Sequence, residues 1–205
     1  FGNVRTFILR YIDIKNSYED IRKWNDVEST RKVLNIMVGH AGNEIDNHIN
    51  ILKKMKKYEN NNIMIYIVLS YGNEEYISEV KRYIKNEWSN KVEIIDNFLP
   101  IDKYNNLMSK MDIVILDGKK SYALGNIGML LNLGKTIYLN EDGIIKEAFD
   151  KENIPYRCTN EIGNVSYDSF SNLKSYELKN ESSFIYRNSN DVICSWKKMI
   201  EDIEK

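Results

Sequence analysis

The stretch that decides the fold is Ile63-Met64-Ile65-Tyr66-Ile67-Val68-Leu69, which is apolar without a break. A strand of this kind is buried on both faces, as the central strands of parallel sheets are. It ends in the short loop Ser70-Tyr71-Gly72-Asn73, and a helical pattern follows from about Glu74 to Trp88. The stretch therefore predicts one strand, loop and helix of an α/β protein.

The same unit recurs on both sides of this stretch. Further strands are predicted over 33–38, 92–95, 113–116 and 136–139, and further helices over 44–58, 102–111, 122–133, 144–152 and 190–204. Asn43 is the expected N-cap of the helix over 44–58. Strands that alternate with helices predict right-handed βαβ units. The predicted fold class is α/β, a Rossmann-like doubly wound parallel sheet.

Composition narrows the classes of function. The 205 residues are 42% hydrophobic, which suits a globular chain and argues against disorder of its bulk. With 29 basic and 30 acidic residues the net charge is −1, so nucleic acid is not an expected partner, and an anion must be met by a local site. Cys158 and Cys194 show no metal-ligand or disulfide pattern, and two histidines exclude a His-rich metal site.

The beginning of the chain differs from the rest. Residue 1 is Phe1 and not Met, and residues 1–32 are mixed and charged, without the regular alternation that begins at Val33. We expect a fragment of a longer protein in which 1–32 is an interdomain connector and the remnant of an upstream domain. Residues 33–205 are then one α/β domain that ends in a C-terminal helix.

Four loops are expected to share one edge of the sheet. They are 39–43, 70–73, 97–100 and 117–122, each of which follows a predicted strand. Ligands of doubly wound sheets bind at the carboxyl ends of the strands, where the strand order reverses. Two of the loops lead directly into helices, whose first N–H groups hold anions. A phosphate or diphosphate is therefore the expected ligand.

The loop before the helix over 122–133 is the clearest candidate. Lys119, Lys120 and Ser121 stand before this helix, and Gly125 and Gly128 allow it to approach a ligand or the sheet closely. Asn126 is a polar residue on an otherwise apolar helix. The alternative is that both glycines serve packing and Asn126 bonds a neighbouring strand. Neither a GxGxxG fingerprint nor a P-loop is present.

The remaining edge residues allow functional and structural interpretations. Phe98 or Leu99 could contact a nucleobase, or merely cover the end of the sheet. His40 lies within a glycine loop and is the better functional candidate, whereas a structural role is favoured for His48. The lysines of 53–57 are interpreted as a solvated face, with contact to anionic lipid as the alternative. No catalytic triad and no convincing general base is recognisable, although Asp46, Glu74 and Asp117 fall near the edge.

These loops carry a resemblance to a known family. The matching segments are Val38-Gly39 through Asn47-His48-Ile49, Val68 to Gly72 with Glu75-Tyr76, Phe98-Leu99-Pro100, Ala123 to Ile127 with Leu133-Gly134-Lys135, and more weakly Trp196. In this order they resemble glycosyltransferase family 56, the bacterial 4-acetamido-4,6-dideoxygalactose (Fuc4NAc) transferases. The similarity is to the C-terminal half of their two-domain GT-B fold, and covers residues 33–155 well.

The resemblance implies an enzyme that transfers a Fuc4NAc-type sugar, with inversion and without a metal or other cofactor. The implied donor is a dTDP-sugar, and the acceptor is a polyprenyl-diphosphate-linked saccharide of enterobacterial common antigen or a related surface polysaccharide. The implied location is the bacterial cytoplasm, peripheral to the cytoplasmic face of the inner membrane. In this fold the C-terminal domain holds the donor, while the N-terminal domain holds the acceptor and the catalytic base. This chain alone is thus expected to bind donor without turnover.

The resemblance also implies which residues contact the donor. They are Gly39, His40, Gly42, Ser70, Tyr71, Gly72, Phe98, Leu99, Lys120, Ser121, Leu124, Gly125 and Asn126. Two loops differ from the usual family sequence. Lys120-Ser121-Tyr122 stands where the family has Arg-Gln-Gln, and Gly39-His40-Ala41 stands where it has Gly-Asn-Ser.

Three other functions stay open at this point. One is a non-catalytic nucleotide-sugar-binding module on the same fold. Another is a sugar-nucleotide epimerase or hydrolase, which would need carboxylate or histidine pairs along the edge. The third is an interaction domain with an empty crevice.

Overall fold

The computed structural model describes residues 33–120, 123–173 and 189–203. The predicted connector 1–32 lies outside these residues, as do Ser121, Tyr122 and the segment 174–188. In the described part, six strands form one sheet in which every pair of neighbours is parallel.

The strand order is β3-β2-β1-β4-β5-β6, so the winding reverses between β1 and β4. The strands are β1 Leu34–Val38, β2 Ile63–Val68, β3 Val92–Ile95, β4 Ile113–Leu116, β5 Thr136–Leu139 and β6 Arg157–Cys158. The helices are α1 His48–Met55, α2 Glu74–Glu87, α3 Ile101–Lys110, α4 Leu124–Asn132, α5 Ile144–Glu152, α6 Tyr167–Phe170 and α7 Ser189–Ile203. Short 3-10 turns span Glu44–Asp46, Lys56–Tyr58 and Thr159–Glu161. The prediction of a Rossmann-like doubly wound sheet is confirmed.

Most predicted elements are present with ends shifted by one or two residues, but two predictions were wrong. The helix over 44–58 is broken, because Asn47 has the left-handed φ of 51° and separates a 3-10 turn from α1. Asn43 makes no side-chain cap hydrogen bond. The helix predicted over 122–133 is present from Leu124 to Asn132, and Ala123 directly before it also lies in the left-handed region, with φ 53°. The two-residue strand β6 was not predicted.

Helices cover both faces of the sheet. Successive side chains of β1 point to opposite faces of the sheet. Ile36 and Val38 pack with α1 and α2, whereas Met37 packs with α3, α4 and α5 on the other face. Each face of the sheet is thereby removed from water, which accounts for the apolar runs of the central strands. In α4, residues 127–131 are buried, as the nearly all-apolar sequence of that helix predicts.

A buried carboxylate ties together the loops at the carboxyl ends of the strands. Asp117 follows β4 and is only 5% exposed. Asn47 donates a hydrogen bond to its Oδ2 at 2.6 Å, and Asn140 donates to its Oδ1 at 3.0 Å. The hydroxyl of Thr159 also donates to Oδ1. Asp117 therefore joins the segments that follow β1, β5 and β6 to the end of β4.

We predict that Asp117→Ala lowers the free energy of unfolding by about 3 kcal/mol, because the substitution leaves buried donors without an acceptor. Urea unfolding measures this change. The matched control is Asp142→Ala at the next loop. Asp142 is 66% exposed and is paired with the exposed Lys119, so its loss should change the free energy of unfolding far less than the loss of Asp117 does. Equal effects of the two substitutions would contradict the structural role of Asp117.

Candidate functional site

Two glycine loops meet at the carboxyl ends of β1 and β2. The N–H of Gly42 donates to the carbonyl oxygen of Tyr71 at 2.7 Å, and the N–H of Asn73 donates to the carbonyl oxygen of Gly42 at 2.9 Å. Gly72 has φ 138°, and a Cβ at this position would collide with the backbone of Gly42. Both glycines therefore allow the two loops to be bridged backbone to backbone.

The first glycine of the loop after β1 makes room for a histidine. Gly39 has φ 70°, and a Cβ there would overlap Nε2 of His48. His48 is fully buried, and its backbone N–H donates to the hydroxyl of Tyr76 at 3.0 Å. Burial lowers the pKa of His48 to about 4, so the ring is neutral near pH 7. This is the structural position that the sequence favoured for His48.

A cavity of about 280 Å³ opens at the carboxyl ends of the strands, beside the first turns of α3 and α4. Its lining is largely aromatic and aliphatic and is formed by His40, Val68, Ser70, Tyr71, Ile95, Phe98, Leu99, Ile101, Tyr104 and Asn126. Concave apolar sites with a few polar groups are typical ligand pockets. The structure thus brings six of the predicted donor-contacting residues together: His40, Ser70, Tyr71, Phe98, Leu99 and Asn126.

Tyr104 on α3 and Asn126 on α4 line the same wall of the cavity, and the Asn126 side chain lies near enough to the Tyr104 hydroxyl to influence its pKa. Burial raises the pKa of Tyr104 well above its usual value, and the ring hydroxyl stays protonated. Tyr104 was not among the predicted site residues. Its position one turn into the helix after the loop 97–100 is the sequence signal that could have found it.

His40 is held by a buried carboxylate. Its Nδ1 lies 3.0 Å from Oδ1 of Asp46, and the N–H of Ala41 donates to Oδ2 of Asp46 at 3.1 Å. The side chain of Asp46 is fully buried, whereas that of His40 is 13% exposed and borders the cavity. The carboxylate of Asp46 therefore orients the ring of His40 from its inner side.

The other predicted residues have different positions. Gly39, Gly42 and Gly72 shape the loops and do not line the cavity. Lys120 and Gly125 are exposed, and Leu124 begins α4. Ser121 lies outside the described residues. Lys119, which stands with Lys120 before α4 in the sequence, donates to Asp142 at 2.7 Å.

Large apolar side chains surround the mouth of the cavity. Phe98 is 84% exposed, and Ile101 and Tyr71 are 64% and 53% exposed. A flat ligand group that enters the cavity would meet these side chains first. Among the described residues, no helix is long and apolar enough to cross a membrane, and no group of three potential metal ligands occurs.

The family model of the 4-alpha-L-fucosyltransferases, glycosyl transferase group 56, matches residues 9–200 of the chain. This range includes the whole sheet and every residue of the cavity. The match agrees with the resemblance drawn from the loop sequences.

Solved structures show the same fold at low sequence identity. A glycosyltransferase from Rickettsia africae is 17% identical, with a TM-score of 0.52 over 92% of this chain and 43% of that one. HepE from Anabaena, solved with UDP and glucose, is 14% identical, with a TM-score of 0.53 over 95% of this chain and 54% of that one. The chain therefore spans about half the length of these structures, which are GT-B glycosyltransferases.

One solved structure has nearly the same extent as this chain. It is the C-terminal domain of LpcC, a group 1 glycosyl transferase from Francisella tularensis, which is 10% identical. The TM-score is 0.51 over 91% of this chain and 94% of that domain. The fold of the chain is thus that of one GT-B half.

We predict that the protein becomes less stable as the pH falls, because of His48. Its folded pKa of about 4 lies below its ordinary value of 6.5, so the unfolded chain binds the proton first as the pH falls. The stability from this group is complete above pH 6.5 and is lost towards pH 4. Between pH 7 and pH 5, the free energy of unfolding measured with urea should fall by about 2 kcal/mol more for the wild type than for His48→Gln. His40 is present in both proteins, and identical losses would refute the assignment.

Proposed function

The chain belongs to glycosyl transferase group 56, the 4-alpha-L-fucosyltransferase family, and we propose that it is the donor-binding half of a two-domain glycosyltransferase of the GT-B type. The single observation that carries this proposal is the largely apolar cavity at the carboxyl ends of β1, β2 and β3. It lies beside the reversal between β1 and β4, where ligands of doubly wound sheets bind.

Different parts of the cavity suit different parts of a nucleotide sugar. Phe98 and Leu99 offer apolar surface to a nucleobase. Asn126, in the first turn of α4, brings the N-terminus of that helix to the cavity wall. The N-cap residue Ala123 has no side-chain acceptor, so the helix N-terminus is left for an anion. We therefore place the diphosphate at α4, with the exposed Lys120 beside it.

The proposed reaction is inverting transfer of a Fuc4NAc-type deoxyamino sugar from dTDP to a polyprenyl-diphosphate-linked saccharide, without a metal. When the glycosidic bond to the donor breaks, negative charge develops on the departing diphosphate. The N-terminus of α4 and Lys120 would stabilise this charge. The acceptor and the general base are proposed to belong to a second domain, which fits a chain that spans about half of the related structures.

A protein acting on such an acceptor would work at the cytoplasmic face of the bacterial inner membrane, in synthesis of enterobacterial common antigen or a related polysaccharide. The family assignment supports a deoxyhexose donor. The choice of dTDP and of a lipid-linked acceptor rests on the resemblance of the loops.

The alternative function is a non-catalytic nucleotide-sugar-binding module. It is favoured by the two loops that differ from the usual family sequence, at Gly39-His40-Ala41 and at Lys120-Ser121-Tyr122. Both functions require the same donor site, and they differ only in whether transfer follows.

We predict that dTDP or UDP raises the melting temperature of this chain in the presence of EDTA. The expected rise is several degrees at millimolar nucleotide, because a ligand that binds only the folded state stabilises it in proportion to the logarithm of its concentration over Kd. Differential scanning fluorimetry and titration calorimetry measure this. No shift with either nucleotide would contradict a donor site.

A substitution pair locates the diphosphate. Gly125→Val places a branched side chain in the first turn of α4 and is expected to weaken nucleotide binding at least about tenfold. Glu147→Val changes an exposed residue in the first turn of α5, away from the cavity, and should bind normally. Normal binding by Gly125→Val would place the diphosphate elsewhere.

We predict that a protein joining this chain to the acceptor-binding domain transfers sugar from dTDP-Fuc4NAc to a polyprenyl-diphosphate-linked acceptor, with and without EDTA. This chain alone should bind donor and give no product, because the general base is proposed to belong to the second domain. A radiolabelled transfer assay measures both. Donor binding without transfer by the two-domain protein would favour the non-catalytic module.

A further inference from the structure

Tyr104 connects the two parts of the cavity that the donor-site proposal distinguishes. Its backbone N–H donates to the carbonyl oxygen of Pro100 at 2.9 Å, so the residue starts at the loop that carries Phe98 and Leu99. Its side chain lines the cavity and approaches Asn126 in the first turn of α4. The ring therefore extends from the part assigned to a nucleobase towards the part assigned to a diphosphate.

The core holds the ring of Tyr104 in place. The ring packs against the apolar cluster between the sheet and α3, α4 and α5, and Met108, one turn further along α3, is fully buried in that cluster. A ring fixed in this way loses little freedom when its hydroxyl binds a ligand. Burial raises the pKa of Tyr104 well above its usual value, so the hydroxyl stays protonated. Tyr104 thus presents a neutral and pre-positioned hydroxyl to the cavity.

The polar groups at this wall suit a ligand hydroxyl. A phenol hydroxyl both donates and accepts hydrogen bonds, and so does the side-chain amide of Asn126. A sugar hydroxyl has the same two capacities. In dinucleotide-binding doubly wound sheets a carboxylate binds the ribose, but no Asp or Glu occurs among the described residues that line this cavity. A pentose in the cavity would therefore be bound by uncharged side chains such as that of Tyr104.

The order of groups in a nucleotide brings its pentose to this wall. The pentose joins the base to the phosphates in every nucleoside diphosphate. With the base at Phe98 and Leu99 and the diphosphate at the N-terminus of α4, the pentose lies beside the wall that Tyr104 and Asn126 form. The 3′-hydroxyl is the free hydroxyl of the dTDP pentose, and it is present in UDP as well.

We propose that the hydroxyl of Tyr104, positioned by Asn126, forms a hydrogen bond with the pentose 3′-hydroxyl of the nucleotide sugar. Tyr104 is then a binding residue that selects for an unmodified 3′ position, and Asn126 is a positioning residue that acts through it. This inference rests on the donor site proposed above and adds to it a contact with the pentose.

The test compares dTDP with 3′-deoxythymidine diphosphate, which lacks only the 3′-hydroxyl, by titration calorimetry in EDTA. The wild type should bind dTDP about tenfold more tightly, as one hydrogen bond between neutral groups predicts. Tyr104→Phe keeps the ring and removes the hydroxyl, so its preference for dTDP should fall below about threefold. Equal affinity of the wild type for the two nucleotides would overturn the proposal, and so would an unchanged preference in Tyr104→Phe.

The matched control is Tyr83→Phe. Tyr83 lies on α2 and is half-buried, with the ammonium group of Lys53 5.9 Å from the centre of its ring. It packs against the core on the opposite face of the sheet from Tyr104. Tyr83→Phe should therefore keep the tenfold preference for dTDP. A preference that falls equally in both variants would not come from a contact with Tyr104 and would refute the proposal.

Asn126→Leu tests the positioning role with an apolar side chain of similar size. The preference for dTDP should fall below about threefold, while the affinity for the 3′-deoxy analogue should change by less than about threefold. An unchanged preference would contradict the role of Asn126. Melting temperatures of the three variants separate these effects from unfolding.

The same measurements distinguish failure of this inference from failure of the donor site. If Tyr104→Phe weakened the binding of both nucleotides equally, the hydroxyl would contact the base or the diphosphate. That result would refute the pentose contact and leave the donor site standing. The absence of dTDP binding by the wild type at millimolar concentration would contradict the donor site itself.

Discussion

The arrangement of the candidate site depends on one buried carboxylate. Because the winding reverses between β1 and β4, the chain leaves these adjacent strands toward opposite faces of the sheet, and a crevice opens between the two loops. Asp117 lies at this point and accepts hydrogen bonds from Asn47, Asn140 and Thr159. These donors are neutral, so the carboxylate is satisfied without a cation. The loops after β1, β5 and β6 are thereby fixed relative to the end of β4.

The fold follows from local patterns, and its irregular points do not. Apolar runs and helical spacing predict five of the six strands and the helices that cover them, because burial of a strand or a helix face is recorded in consecutive residues. The left-handed residues Asn47 and Ala123 both lie within predicted helices, and a tertiary contact accounts for Asn47. Asn47 leaves the helical path and its side chain reaches Asp117, which is distant in sequence. Strand β6 has only two residues and is too short for an alternation to show.

The site was predictable to the extent that strand ends determine it. The carboxyl ends of parallel strands meet at one edge, so His40, Ser70, Phe98 and Asn126 could be assigned to a common cavity from their loops alone. Asp46 and Tyr104 matter through contacts that only the folded chain creates. Asp46 faces back to His40 because a 3-10 turn follows the glycine loop, and the hydroxyl of Tyr104 meets a residue of the next helix. Neither contact has a sequence spacing that identifies it.

Gly39 connects the structural and the functional part of this edge. At φ 70° it turns the chain sharply out of β1, while its N–H stays bonded to the carbonyl oxygen of Ile115 in β4 at 2.9 Å. A Cβ here would overlap Nε2 of His48 and lie 2.9 Å from Cβ of Asp46. Any side chain at 39 would therefore displace the neutral, buried histidine and, through Asp46, the ring of His40 at the cavity. The two histidines thus have opposite environments, one sealed and one facing the cavity, and a single glycine makes both environments possible.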